Sequence, residues 1–226
     1  MSTSPSFEPL QFDFMAPAEQ LTRAQRLVTA HASRRSVRHF RPDPIDPALI
    51  ERCIEVACTA PSGANKQPWT FCVVTDPDLK RAIRRAAEVQ EQAFYGGRAP
   101  QVWLDDVRPL GTNGHKAFLE QAPALIVVFA QHGSPSGQRH YYVNESVGIA
   151  LGFLISALHQ CGLTVLTHTP SPMSFLREIL GRPATERPFL LLPVGLPALD
   201  CEVPVLTRKA LDEMIVTYPP KGALDE

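Results

Sequence analysis

The chain has 226 residues, of which 44% are hydrophobic and 20% charged, a composition typical of a globular protein that can bury a substantial core. Its formal net charge of −1 lacks the basic field of a nucleic-acid binder, so we expect no nucleic-acid partner. The sequence has no apolar run of about 18 to 20 residues and no apolar stretch of the signal-peptide kind near its N-terminus, so we expect a cytoplasmic protein with no membrane partner.

The first third of the chain predicts helices around one strand. Apolar residues recur at helical spacing from 21 to 28, after a stretch, 1–17, that we expect to be a flexible arm. Asp46-Pro47 is typical of a helix start, because a capping side chain precedes a first-turn proline, and the apolar period continues to Pro61. The run from 69 to 75 predicts a strand, and a second start at Asp76-Pro77 predicts a helix through about Gln92.

Glycines and prolines are scattered through residues 96–114. The segment lacks the sustained period of a stable packed element. A long irregular segment inside a compact chain is often an active-site lid, and we predict that role here.

The second half of the chain alternates strands and helices. Residues 124–130 predict a buried strand, and 145–159, apolar nearly all round, predict a central helix that stops before Gly162. Strands are predicted at 163–167 and 189–194, with a short helix at 171–180 between them. Residues 197–226 predict a C-terminal arm that needs another surface, such as a dimer partner, to pack on. We expect a single domain spanning residues 1–226.

Neither the cysteines nor the histidines predict a metal site. The five cysteines are scattered and lack the paired short spacings of a zinc site or redox pair, so we interpret them as reduced. The seven histidines show no metal-ligand spacing. We therefore expect no metal.

One short segment, Arg34-Arg35-Ser36-Val37-Arg38, concentrates three guanidiniums and a hydroxyl. If it is extended, Arg34, Ser36 and Arg38 lie on one side, where planar guanidiniums can grip phosphate oxygens. A solvated basic surface or a nucleic-acid patch explains such a run equally well. The arginine cluster alone therefore leaves a phosphorylated cofactor and a bare surface both open.

A second segment narrows this choice. Thr59-Ala-Pro-Ser-Gly-Ala-Asn65, followed by Gln67-Pro-Trp69, combines with the arginine cluster into a pattern that resembles the flavin-binding signature of the nitroreductase superfamily. Over nearly its whole length the chain is most similar to the iodotyrosine deiodinases, including their bacterial homologues. The resemblance implies a three-layer α+β fold with a central mixed, mainly antiparallel sheet flanked by helices. It also implies an intertwined homodimer with exchanged C-terminal arms and two FMN sites at the subunit interface.

The resemblance further implies which residues hold FMN. The arginine cluster and Arg208 are expected at the phosphate and the flavin edge, whereas the segments around Ser62 and Thr169 line the ring. Thr169 is the expected catalytic residue, because a hydroxyl near flavin N5 favours one-electron steps over hydride transfer. The full expected set is Arg34, Arg35, Ser36, Val37, Arg38, Pro61, Ser62, Gly63, Thr167, His168, Thr169 and Arg208.

Glu91 and Tyr95 are four residues apart, so on a helix their side chains share one face, and Lys116 follows later. A carboxylate, a phenol and an ammonium can pair with the charged groups of an amino acid. The spacing alone favours ordinary solvated residues. The resemblance instead implies that these three bind the substrate zwitterion, with the backbone N–H of Ala64 on the substrate's phenolate oxygen.

These expectations lead to a functional hypothesis with alternatives. The resemblance implies FMN-dependent reductive dehalogenation of halogenated tyrosines, with NAD(P)H or a separate reductase as the external reductant. An NAD(P)H-dependent nitroreductase or quinone reductase would use the same FMN site. A flavin or amino-acid sensor without catalysis would use the same substrate residues.

Overall fold

The computed structural model describes residues 5–134 and 136–218, and its centre is a four-stranded sheet. The strands follow the order β1-β2-β4-β3, and every neighbouring pair is antiparallel. Ser36 adds a parallel bridge to Val165, so the sheet is mixed at the β3 edge. The strands are β1 (Trp69–Val74), β2 (Ala124–Gln131), β3 (Thr164–Val165) and β4 (Glu186–Gly195).

Helices surround this sheet, and two of them begin where the sequence predicts. The Asp46 carboxylate accepts from the Ala48 N–H at 2.9 Å, and the Asp76 carboxylate accepts from the Leu79 N–H at 2.7 Å. The helices of the described residues are α1 (Pro17–Ala32), α2 (Pro47–Cys58), α3 (Pro77–Ala93), α4 (Gln101–Val107), α5 (Phe118–Gln121), α6 (Val143–Gln160) and α7 (Ser174–Ile179). None of them is both long and apolar enough to cross a membrane.

Strand β2 divides the core into two layers because its side chains alternate between the faces of the sheet. Ile126 packs with α2 and α6 on one face, whereas Leu125 packs with α3, α5 and α7 on the other. Every residue of β2 from Ala124 to Ala130 is buried. The result is the predicted α+β arrangement of helices on both faces of a mainly antiparallel sheet.

Residues 96–114 are not irregular throughout as expected, because α4 lies in this segment, although none of its residues is buried. A wide turn, Phe94–Arg98, precedes α4 and a short helical turn follows it. Gly97 and Gly111 have φ values of 140° and 65°, which favour glycine. The glycines thus delimit the helix instead of interrupting it. Trp103 of α4 packs edge-on against Phe94, with ring centroids 4.7 Å apart.

Both ends of the described chain expose apolar surface. Helix α1 buries none of its residues against the rest of the described chain, and its contact with α6 includes a hydrogen bond between the His31 Nε2 and the Ser156 Oγ at 2.8 Å. Residues 5–16 have no regular structure, and most of 197–218 is likewise irregular and exposed. Leu199 and Val205 of this second segment are almost fully exposed. The part of the predicted C-terminal arm from 219 to 226 lies outside the described residues.

Candidate active site

The arginine cluster and Arg208 line one cavity of about 330 Å³. The guanidinium of Arg35 donates to the Pro204 carbonyl, which ties the segment containing Arg208 to the cluster. Strict strand alternation predicted Arg34, Ser36 and Arg38 on one side, and the structure adds Arg35 to them. Val37 differs: its side chain is buried in the core and its N–H donates to the Val165 carbonyl.

This arginine cavity suits an anion. Among the described residues that line it, four are arginines and none is acidic. Arg38 is half-buried, and this desolvation lowers the pKa of its guanidinium. A buried cation is costly unless it is paired, and guanidiniums form strong paired hydrogen bonds with phosphate oxygens. The hydroxyls of Ser36 and Thr207 add further donors.

A second cluster brings Glu91 and Lys116 together in the interior. The Lys116 Nζ lies 3.1 Å from the Glu91 Oε2, and the side chains are 6% and 11% exposed. The Tyr95 ring centre is 5.6 Å from the same ammonium, and the Tyr95 hydroxyl donates to the Thr112 Oγ1 at 2.9 Å. Spacing alone favoured solvated residues, whereas the structure buries the ion pair.

A hydrogen bond from the backbone of Lys116 to a side chain of α3 holds this part of the chain in place. The Lys116 N–H donates to the Glu88 Oε1 at 2.7 Å, and Glu88 pairs with Arg84 on the same helix, α3. Desolvation lowers the pKa of Lys116, and the charge of Glu91 opposes that shift. The site therefore offers one buried cation beside one buried anion. Such a pair is a complement to a ligand that carries both charges, such as an amino acid.

Residues 167–169 run along the β3 edge of the sheet, where His168 exchanges backbone hydrogen bonds with Leu191. Thr167 and Thr169 are exposed, whereas the imidazole of His168 is buried. This alternation is that of an extended segment, whose side chains point alternately to opposite faces. The structure thus separates the His168 ring from the two threonines with which the sequence analysis grouped it.

The imidazole of His168 instead joins the Glu91–Lys116 cluster. Its Nε2 lies 4.0 Å from the Glu91 Oε1, and its ring meets Phe118 edge-on with centroids 5.5 Å apart. The sequence analysis missed this placement. Period-two alternation from Thr167 to Thr169 was a signal that could have revealed it.

The segment from Pro61 to Ala64 lies before β1, at the opposite edge of the sheet from β3. The Gly63 N–H donates to the Ser146 Oγ at 3.3 Å, near the start of α6. A Cβ at Gly63 would lie 2.8 Å from the Tyr142 Cδ2, so this position needs glycine. Ala64 has a φ of 50°, in the left-handed region.

The two halves of the predicted flavin signature are therefore far apart within one chain. Gly63 contacts the beginning of α6, whereas Ser33, next to the arginine cluster, contacts His159 at its end. The part of α6 between these contacts spans about 20 Å. Edge strands β1 and β3 are separated by three inter-strand spacings, or about 14 Å. Within one chain, the two halves therefore lie at opposite edges of the sheet.

The fold, the arginine cavity and the Glu91–Lys116 cluster define a member of the nitroreductase family. Residues 32–196 match the nitroreductase family, and the chain belongs to it. Within it, the chain belongs with the iodotyrosine deiodinases. It is 50% identical over 222 residues to the iodotyrosine deiodinase of Haliscomenobacter hydrossis, covering 96% of this chain and 100% of that protein. It is 43% identical over 217 residues to the iodotyrosine deiodinase of Danio rerio, covering 93% of this chain and 72% of that protein.

A solved structure supports the same placement. The crystal structure of oxidized iodotyrosine deiodinase bound to FMN and 3-iodo-L-tyrosine matches this chain with a TM-score of 0.73 and 33% identity. The match covers 85% of this chain and 98% of that one. The family and fold predicted from the sequence are confirmed.

Proposed function

We propose that this protein is an FMN-dependent reductive dehalogenase of halogenated tyrosines. The single observation that carries the proposal is the buried Glu91–Lys116 pair at 3.1 Å, with Tyr95 beside it. The ammonium and the carboxylate of an amino acid can pair with both charged side chains, whereas a neutral nitroarene or quinone would leave them uncompensated. The family relationship supports the same substrate class, since the relatives described above are iodotyrosine deiodinases.

The arginine cavity is the proposed phosphate site of FMN. Arg34, Arg35, Ser36 and Arg38 with Arg208 would hold the phosphate, because the lining is cationic and carries no acidic residue among those described. The exposed Thr169 would place its hydroxyl at flavin N5, with Thr167 beside it. When bound and reduced, FMN supplies the electrons that displace the halide.

The substrate site follows from the charges. Lys116 would take the substrate's carboxylate, Glu91 its ammonium, and Tyr95 would add its hydroxyl once the bond to Thr112 opens. The Ala64 N–H would hold the phenolate oxygen at the other end of the ligand. Residues 96–114, now seen to contain α4, would cover this site as the predicted lid, excluding water from the charged groups.

We further propose that the working form is an intertwined homodimer with FMN at the subunit interface. Segment 61–64 and the arginine cluster lie at opposite edges of the sheet, so a second copy would bring the former to the latter. The exposed apolar residues of α1 and of 197–218 would pack on that copy, the latter as an exchanged arm. The five cysteines are unpaired, which suits a cytoplasmic enzyme. NAD(P)H or a separate reductase would supply its electrons.

Anaerobic turnover tests the proposed function. The purified protein should be yellow, and after chemical reduction of its FMN it should convert iodotyrosine to tyrosine with release of one iodide per reduced flavin. Iodide release and tyrosine formation are both measured by chromatography. Rapid nitroarene reduction without halotyrosine binding would instead support the nitroreductase alternative, and tight halotyrosine binding without iodide release would support the sensor.

Thr169→Ala should separate dehalogenation from ordinary flavin reduction. Loss of a hydrogen bond to a group that changes charge costs about 1.5 to 3 kcal/mol, so iodide release should slow by about 10-fold or more. Iodotyrosine affinity and nitroarene reduction, measured on the same preparation, should change by less than about 3-fold. An equal loss of both activities would show that Thr169 only supports the pocket.

A further inference from the structure

His168 carries a buried polar atom that the proposed mechanism has not used. Its Nε2 has no hydrogen-bond partner among the described residues, and the residue is 7% exposed. Buried polar groups are nearly always hydrogen-bonded, so an exception calls for a physical explanation. The main chain at this position is fixed, because the N–H and the carbonyl of His168 bond to Leu191 at 2.9 and 3.0 Å.

A carboxylate oxygen lies near the Nε2 of His168. The distance from Nε2 to the Glu91 Oε1 is 4.0 Å, which is too long for a hydrogen bond, while the other oxygen of Glu91 pairs with Lys116 at 3.1 Å. Phe118 packs against the edge of the imidazole. A movement of about 1 Å by the Glu91 side chain would bring Oε1 within hydrogen-bond distance of Nε2.

The imidazole is neutral in this environment. Desolvation by burial, together with the nearby charges of Lys116 and Arg38, lowers the pKa of His168 to about 3. A neutral imidazole carries one N–H, and a carboxylate can only accept, so the tautomer protonated on Nε2 is the one that suits Glu91. A neutral donor can orient the carboxylate without cancelling its charge.

We infer that His168 is a positioning residue for Glu91, donating its Nε2–H to the Oε1 and holding the carboxylate ready for the substrate's ammonium. This inference rests on the proposed function. Without ligand, Lys116 holds Glu91; when the substrate's carboxylate draws Lys116 away, Glu91 loses that partner. The Nε2–H of His168 then replaces Lys116 as the partner of Glu91. A cationic residue in the same place would compete with the substrate's ammonium for Glu91.

The test compares two ligands on the FMN-loaded enzyme. Iodotyrosine carries the zwitterion, whereas ortho-iodophenol presents the same iodinated ring without it. His168→Phe keeps a ring of similar size but removes the donor, so the Kd of iodotyrosine should rise about 10-fold while that of ortho-iodophenol changes less than about 2-fold. Both Kd values are measured by quenching of flavin fluorescence.

His168→Gln is the matched rescue, because its amide N–H can reach the position of Nε2. It should recover iodotyrosine affinity to within about 3-fold of wild type. His168→Asn is a second loss variant if the phenylalanine protein folds poorly: its amide is shorter than the imidazole, and the same selective loss is expected.

Three results would overturn the inference: unchanged iodotyrosine affinity in the loss variants, an equal loss for both ligands, or a glutamine variant no better than phenylalanine. If the wild-type enzyme binds iodotyrosine and releases iodide while the variants show one of these results, only the role of His168 is overturned. A wild-type enzyme that binds no halotyrosine overturns the proposed function and this inference together.

Discussion

Glu91→Gln should remove tight binding of halogenated tyrosines, raising the Kd by at least about 30-fold. The change keeps the size of the side chain but leaves Lys116 buried without its counter-charge and removes the anion that meets the substrate's ammonium. Breaking one partner of such a buried pair typically costs about 2 to 5 kcal/mol in binding. Titration of flavin fluorescence with iodotyrosine measures the loss.

The sign of an accompanying pH effect follows from Lys116. Burial already lowers its pKa and Glu91 raises it, so removing Glu91 lowers the pKa of Lys116 further. The residual affinity of the variant for iodotyrosine should therefore fall as pH rises through that lowered pKa, because the neutral amine no longer attracts a carboxylate.

Glu55→Gln is the control for this variant. It makes the same chemical change at an exposed position of α2, where the side chain is 60% exposed, and should leave the Kd within about 2-fold of wild type. Binding of ortho-iodophenol should be unaffected in both variants. Wild-type affinity for iodotyrosine in Glu91→Gln would show that the zwitterion is recognised elsewhere.

Local signals explain why the sequence predicted the main elements correctly. The starts of α2 and α3 depend on one aspartate and the proline after it, and the structure shows both aspartates capping. The strand at β2 is an unbroken apolar run, which only a fully buried strand or helix tolerates. Helix α4 escaped prediction because the glycines were counted over the whole segment, whereas Gly97 and Gly111 lie in the turns before and after the helix.

The candidate site was less accessible to sequence reasoning, since it depends on tertiary arrangement. Helical spacing relates Glu91 to Tyr95, but the approach of Lys116 requires the turn and α4 in between. Without the family resemblance, nothing in the local pattern would have joined them. The separation of Gly63 from Arg34 likewise follows from strand order, which local propensities do not encode.

Gly152→Leu should break the proposed homodimer. The face of α6 that points away from the sheet carries Gly148 and Gly152, with Ile149 and Phe153 exposed beside them. Glycine inside a helix costs about 1 kcal/mol relative to alanine, so two of them on one exposed face suggest that another backbone approaches closely. A Cβ added at Gly152 would have no other atom of the described chain within 4 Å.

This open space makes the variant informative, because an isolated chain should tolerate the leucine. In a dimer packed through α6, the larger side chain would fill the contact and force the copies apart. Light scattering during gel filtration should then show a shift from dimer to monomer. Because the proposed FMN site needs segment 61–64 from a second copy, the eluted monomer should also be largely colourless.

Gly96→Leu is the matched control, since a Cβ there also meets nothing within 4 Å and the residue lies outside α6. It should remain dimeric and retain FMN. A Gly152→Leu protein that stays dimeric with full flavin content would exclude this face of α6 from the interface. A stable monomer that keeps its FMN would contradict the shared site, because the arginine cluster and one chain's own residues would then suffice to hold the cofactor.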